Sequence, residues 1–462
     1  MLQIYILSGI GILAMISELI SFRKWMPVIA LFGLAMIIGT VTMHWGVQKS
    51  WYNNMMAEDR FDKSIILISS VIFLLWIILF RDTLRDERTV AEYIALLCFS
   101  VVGGYMMVTF SNLVMLFLGV EILSIPVYVL AGSNKKSLKS NESAFKYFLM
   151  GAFASGFLLF GMTFLYGATG SFDILSIHNY YGSHAGSMPF FFKIGLIMLV
   201  FGLGFKLSAV PFHFWTPDVY EGAPNHVTAF MATMVKGFAA AAAFRLFNGV
   251  LHDVSGGMLT VLAVLSGLSM VIGNTLGAIQ DNPKRLLAYS SIGHAGFMML
   301  AIYAGTQLGA QALVYYIASY TLASLLALFI THKVLIKDDA YWSIGDFAGL
   351  FSRNRLLAIG MSIALLSMAG IPPLSGFFAK YFIFNLAYQH GRLDLVIVAI
   401  VSSLIGVYYY FKFISAMFGR HADQDIDWHI LLTGLDKAVI ILLVAMIILL
   451  GLMPDTILGL LA

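Results

Sequence analysis

The chain has 462 residues, of which 60% are hydrophobic and only 11% charged, and its formal net charge is +3. Soluble globular proteins carry about a quarter charged residues, so an aqueous surface is excluded and an all-α polytopic membrane protein is predicted. The charge is spread over many loops without a basic tract, which excludes nucleic acid as a partner.

Apolar runs of membrane-crossing length, roughly twenty residues each, predict about fourteen transmembrane helices. In chain order they lie near 3–20, 26–46, 64–80, 92–109, 111–131, 143–168, 189–221, 224–247, 257–279, 285–304, 308–331, 355–389, 393–416 and 434–452. The first run has no basic residue before it, and Arg23 and Lys24 follow it, so it reads as an uncleaved span with its N-terminus outside. In that orientation the inner side also takes Arg81, Arg85, Arg88, Lys135, Lys136, Lys139, Lys284, Arg285, Lys333, Lys337, Arg353, Arg355, Arg420 and Lys437. The outer side holds only Lys49, Arg60, Lys63, Lys193, Arg245 and Arg392. Excess basic residues mark the cytoplasmic side, and an even number of spans then puts both termini outside. Trp25, Trp45, Trp342 and Trp428 sit near span ends as an interfacial belt. The single cysteine, Cys98, falls within an apolar run and reads as a buried structural thiol. The sequence holds no metal-ligand cluster, glycine-rich phosphate loop, flavin signature or haem signature.

Some lysines fall inside the spans. Lys146 and Lys412 lie near inner ends, where a long side chain reaches the headgroups. Lys206, Lys236 and Lys380 lie well inside, and Glu121 in "FLGVEILSIPVYVL" is the matching acid. A charge at the bilayer centre costs on the order of 2.5–3.5 kcal/mol. A structural salt bridge accounts for one such pair, but not for three lysines against one carboxylate.

Two spans are broken by proline: "KLSAVPFHFW" around Pro211 and "AGIPPLSGFFAKYF" around Pro372 and Pro373. Proline frees carbonyls of the preceding turn, and bare backbone in a membrane is tolerated only where protein or a wet cavity covers it. The breaks are five spans apart, an odd number, so corresponding helices run in opposite directions. Two inverted five-helix repeats are predicted, each with a broken helix, the layout of secondary transporters. The organisation becomes 1–90, helices one to three; 91–250, the first repeat; 251–418, the second; and 419–462, the last helix.

Lysine ordinarily titrates near 10.4; burial lowers an amine by up to about 3–5 units, and a nearby carboxylate raises it again. The expected device is a Glu121–Lys206 pair that holds a proton in one state. When the pair separates, the proton passes toward Lys236 and then Lys380. His294 in "YSSIGHAGF" and His213 add imidazoles that titrate near neutral pH, though each alone is more simply a hydrogen-bonded core residue. Ser208 and Ser375 are placed to order water at the breaks. The stretch "KGFAAAAAF" beside Lys236 predicts close helix packing, with or without a special role.

The stretches "FKLSAVPFHFWTPDVYEGAP" at 205–224, "ESAFKYFLMGAFASGFLLFGMTFLYGATGS" at 142–171, "GNTLGAIQDNPKRLLAYSSIGHAGFM" at 273–298 and "SMAGIPPLSGFFAKYF" at 367–382 carry a resemblance. From roughly residue 90 to 415 the chain resembles the subunit N family of bacterial NADH–quinone oxidoreductase, complex I. The resemblance implies a fourteen-helix, antiporter-like subunit of the membrane arm that pumps protons while quinone is reduced elsewhere. It carries the fifth-helix carboxylate onto Glu121, the seventh-helix lysine onto Lys206 and the eighth-helix lysine onto Lys236. The twelfth-helix lysine falls on Lys380 and the tenth-helix histidine on His294. The related M family has a glutamate where this chain has Lys380, and the L family adds a long lateral helix beyond its last span. NADH, FMN, iron–sulfur clusters and quinone are then expected in other subunits, with no cofactor in this chain. K-like and M-like subunits and the lipid bilayer are the expected partners, in a bacterial inner membrane with both termini periplasmic. Two rivals share parts of this reading. One is a subunit of a multi-chain sodium–proton antiporter or a membrane-bound hydrogenase, against which "TPDVYEGAP" weighs; the other is a structural subunit that conducts nothing.

Overall fold

The structure, a computed structural model, describes residues 1–19, 22–85, 89–184, 188–251, 257–335, 342–419 and 432–461. Arg88, Lys337, Arg420 and Trp428 lie outside the described residues. The chain opens with α1 (Leu2–Ser17) and α2 (Met26–Met43). A two-stranded antiparallel hairpin follows, β1 (Lys49–Trp51) and β2 (Met56–Glu58), with Lys49 opposite Glu58. Then come α3 (Arg60–Leu79), α4 (Val90–Thr109), α5 (Leu113–Ala131) and α6 (Leu138–Thr169). The short α7 (Ile174–Ser183) leads to α8 (Phe190–Leu207), α9 (Trp215–Gly222) and α10 (Asn225–Phe230). A π-turn, Met231–Val235, joins α10 to α11 (Lys236–Leu251).

The second half holds α12 (Gly257–Ala278), α13 (Pro283–Ala304) and α14 (Gln307–Val334). It continues through α15 (Leu350–Arg353), α16 (Arg355–Ala369), α17 (Ser375–Gln389) and α18 (Leu393–Phe418). It closes with α19 (Gly434–Leu452) and α20 (Asp455–Leu458). Among the described residues twelve helices are long and apolar enough to cross a membrane, while Leu2–Ser17 and Arg355–Ala369 are shorter.

The helices begin where polar side chains accept from otherwise unpaired backbone donors. Asp59 and Asp62 form a capping box on α3, as do Thr433 and Asp436 on α19. Ser137, Asn282 and Thr306 cap α6, α13 and α14. The core lies along α14 and the continuous α10–α11 rod, whose most apolar eighteen-residue stretches are wholly buried, with that of α13 nearly so. The alanines from Ala239 to Ala242 lose all exposure, which lets neighbouring backbones close on this rod.

Three features go beyond the sequence reading. The hairpin and the surface helix α7 are too short to produce a periodic signal. Lys63, assigned to the outer side, is 2% exposed; its amine bonds the carbonyls of His44 (2.6 Å), Trp45 (3.2 Å) and Val47 at the end of α2. Arg245, also assigned outside, reaches the fully buried Asp62 at 2.6 Å. At the other end of the bundle, the snorkelling lysines have acids: Lys146 pairs with Asp218 and Glu142, each at 2.6 Å, and Lys412 with Asp281 at 2.7 Å. Cys98 is free and buried.

Candidate functional site

At the first break α8 stops because Ser208 turns left-handed at φ 62°. The last turn closes with Ala209 N–H donating to the Gly204 carbonyl at 2.8 Å. The Phe205 carbonyl accepts from Ser208 N–H at 3.0 Å and from Trp215 Nε1 at 3.1 Å, and Val210 N–H donates to Ser269 Oγ at 2.9 Å. The Val210–Pro211 peptide is cis. Protein thus covers the backbone that the proline exposes.

Lys206 lies in the last turn of α8, where the helix dipole presents its negative end. Its buried amine donates to Ser124 Oγ at 2.6 Å and to Tyr128 Oη at 2.9 Å. It also stands 5.0 Å from the centre of the Tyr128 ring. Ser124 and Tyr128 follow Glu121 by three and seven positions, so all three share one face of α5. The carboxylate of Glu121 does not meet Lys206: no ion pair joins them among the described residues. Glu121 is half-buried and accepts from Ser155 Oγ on α6. The expected pair is absent in this conformation because α5 offers the amine two hydroxyls while its acid turns toward α6.

Lys236 opens α11 just after the π-turn. Its amine donates to the Ser291 carbonyl at 2.7 Å and to Ser291 Oγ on α13. One turn along α13, His294 Nδ1 lies 2.6 Å from Tyr316 Oη and Nε2 lies 3.3 Å from Tyr410 Oη. Tyr410 Oη in turn bonds Ser290 Oγ.

At the second break α16 ends at Gly370, with φ 87°, and the Pro372–Pro373 peptide is cis. Lys380 on α17 reaches back to donate to the Ala369 carbonyl at 2.7 Å and to Ser403 Oγ at 2.8 Å. A Cβ at position 370 would stand 2.9 Å from Lys380 Cδ, so glycine serves both the left-handed turn and the path of the lysine. Lys380, His294, Tyr316, Ser319 and Ser367 line a cavity of about 10 Å³, the room one water needs. Ser375 bonds Ser319 at 2.8 Å and Ser367 at 3.3 Å.

The structure therefore gathers Lys236, His294 and Lys380 around α13: Lys236 bonds Ser291, one turn from His294, and Lys380 shares a cavity with His294. Lys206 and Glu121 sit apart, each tied to α5. His213 stands elsewhere: it is buried, its Nδ1 has no partner among the described residues, and it bonds neither Lys206 nor Glu121. Sequence reasoning missed Ser124, Tyr128, Ser291, Tyr316, Ser403 and Tyr410. Only the first two carried a signal, their helical spacing from Glu121; Ser291 sat in the stretch quoted for His294.

A fold of this kind, with lysines buried at broken helices, is that of an antiporter-like membrane subunit. The family described as NADH:quinone oxidoreductase/Mrp antiporter, transmembrane, matches residues 111–406. The chain belongs to that family, and within it to the subunit N group. It is 40% identical over 457 residues to NADH-quinone oxidoreductase subunit N of Cytophaga hutchinsonii, covering 98% of each chain. It is equally 40% identical over 466 residues to subunit N of Flavobacterium johnsoniae, again over 98% of each. A chain of respiratory complex I from Thermus thermophilus superposes with a TM-score of 0.86 at 32% identity, covering 100% of this chain and 99% of that one. A chain of the Mrp complex from Dietzia sp. shares the fold alone, with a TM-score of 0.86 at 19% identity over 99% and 95% of the two chains.

Proposed function

We propose that this chain is a proton-translocating membrane subunit of an NADH–quinone oxidoreductase, passing protons through Lys206, Lys236, His294 and Lys380. One observation carries the path: among the described residues, the Lys206, Lys236 and Lys380 ammonium groups bond only to hydroxyl and carbonyl oxygens. Elsewhere a buried cation is held by an acid, as Asp62 holds Arg245, or by three carbonyls at once at a helix end, as Lys63 is held, whereas each of these amines has two neutral oxygens. Neutral oxygens hold an ammonium less firmly than a carboxylate, so these amines are placed to exchange protons. Glu121, three positions along α5 from Ser124, approaches Lys206 in a second state and holds the proton there. His213, with one unpartnered nitrogen, is a lesser candidate beside the first break.

The finer architecture belongs to the same proposal. Ser208 and Gly370 are each left-handed and each three residues before a proline, which supports two inverted repeats at 91–250 and 251–418, between 1–90 and 419–462. Counting α1 and the α16–α17 pair as spans gives fourteen. NADH, FMN, iron–sulfur clusters and quinone bind other subunits, and no redox site lies in this chain. K-like and M-like subunits flank it in a bacterial inner membrane, with both termini periplasmic.

The test is the assembled complex in sealed vesicles, with Lys206→Met against the unaltered chain. NADH-driven acidification should collapse while complex content is preserved. Full pumping by the variant would make the chain a structural element, and sodium-dependent transport would place it with the sodium antiporters.

A further inference from the structure

A ladder of charged and aromatic contacts runs from one end of the bundle to Lys206, and nothing in the path above uses it. α9 lies antiparallel to the start of α6. At the mouth, Glu221 pairs with Lys139 at 3.4 Å and with Arg285 at 2.9 Å. One step deeper, the Asp218 carboxylate receives Lys146 from α6 at 2.6 Å and Arg285 from α13 at 2.9 Å. These groups surround an open cavity of about 150 Å³. Deeper again, the Tyr147 ring stacks on Trp215 with centres 4.5 Å apart and planes 9° from parallel. Lys206 Nζ stands 5.8 Å beyond, measured to the Tyr147 ring.

Two orphaned polar atoms belong to the stack and its neighbour on α9, Tyr147 and Thr216. Tyr147 Oη and Thr216 Oγ1 have no partner among the described residues, and both residues are fully buried. Buried polar atoms are nearly always paired, and water is the ligand that hydroxyls in such a place accept. The walls are in direct contact: a Cβ on Gly222 of α9 would overlap Ser143 Oγ and the Lys139 carbonyl of α6. Water reaches Lys206 along this line only if α9 and the aromatic stack move.

We propose that the α6–α9 seam is the proton inlet of Lys206, plugged by the Tyr147–Trp215 stack and latched by Asp218 between Lys146 and Arg285. Asp218 and Glu221 both tie α9 to α6 and α13, and Asp218 is the rung next to the aromatic stack, so its release loosens the seam where the stack plugs it. Lys146 and Asp218 are each more than a third exposed, and ion pairs of that exposure are weak enough to open thermally. When the seam opens, Tyr147 Oη and Thr216 Oγ1 receive water. A proton then passes along that water to the amine, and no covalent step is involved.

The inference rests on Lys206 being a proton carrier, but its test reads access rather than pumping. In membranes holding the assembled complex, Thr216→Cys in a Cys98→Ala background is exposed to a small cationic methanethiosulfonate. Modification should be at least tenfold slower than at Asn141→Cys, an exposed position on α6. Adding Asp218→Asn should accelerate the Thr216→Cys reaction tenfold or more. Gly222→Ala should do the same without altering charge, by wedging α9 off α6. A Thr216→Cys rate equal to that at the exposed control would overturn the plug, and a rate unmoved by either second change would overturn the latch. Lys206→Met in this background should leave labelling unchanged while pumping stops. If pumping persists there, the proposed function falls and the access result stands.

Discussion

The two broken helices place an ammonium in the same electrostatic setting by opposite routes. At the first break the lysine precedes the interruption, in the last turn of α8, and reaches sideways to hydroxyls on α5. At the second it follows the interruption, on α17, and reaches back across Gly370 to the last carbonyl of α16. Either way the charge sits at the C-terminal end of a half-helix, where the dipole favours a cation by about 0.3–1 kcal/mol. The two breaks differ in what they lean on. The first is padded by side chains: the Phe212 ring lies against Gly204, and Trp215 and Ser269 cover the freed backbone. The second is backbone on backbone, with Gly376 against the Ser367 carbonyl and Gly451 against that of Pro373. A side-chain wall yields by turning a rotamer, whereas a backbone wall yields only by moving a helix. The first break is therefore the more compliant one.

The strongest attack on this comparison removes the amines. Lys206→Met and Lys380→Met should each cut proton translocation by vesicles on the order of 100-fold, as loss of a proton-transfer group does. A normal rate in only one of them would mean the breaks do not share a role. Next in size is the packing difference. Gly376→Ala forces overlap with a carbonyl and should cost about 1–3 kcal/mol, read as less assembled complex and a lower unfolding temperature. Gly204→Ala meets only an aromatic ring and should cost under about 1 kcal/mol; equal losses would erase the distinction. The smallest effect sharpens the comparison further. Ser124→Ala and Ser403→Ala each remove one of two oxygens from a lysine, and turnover should fall less than about tenfold in both, near 1.4 kcal/mol. A larger loss for Ser124→Ala would show that Tyr128 alone cannot hold the Lys206 amine.

Much of this was legible before any coordinates. The long apolar runs announced the spans, and lysines inside them stood out because a charge there is costly. Pro211 and Pro372 marked the breaks because a ring without an N–H interrupts any helix. Asp62 and Asp218 were passed over, since an acid near a span end looks like solvated surface until its partners are known. The Glu121–Lys206 pair was inferred from charge alone, and charge does not say that Glu121 faces Ser155.

What the chain determined by itself is what adjacent residues settle: which segments are apolar enough for a bilayer, where they break, and which amines are carried inside. The tertiary structure alone decided what those amines touch. Lys206 meets Ser124 across 82 positions and Lys236 meets Ser291 across 55. Contacts of that separation are set by how helices rotate and close against one another, so a local pattern of residues does not encode them one by one.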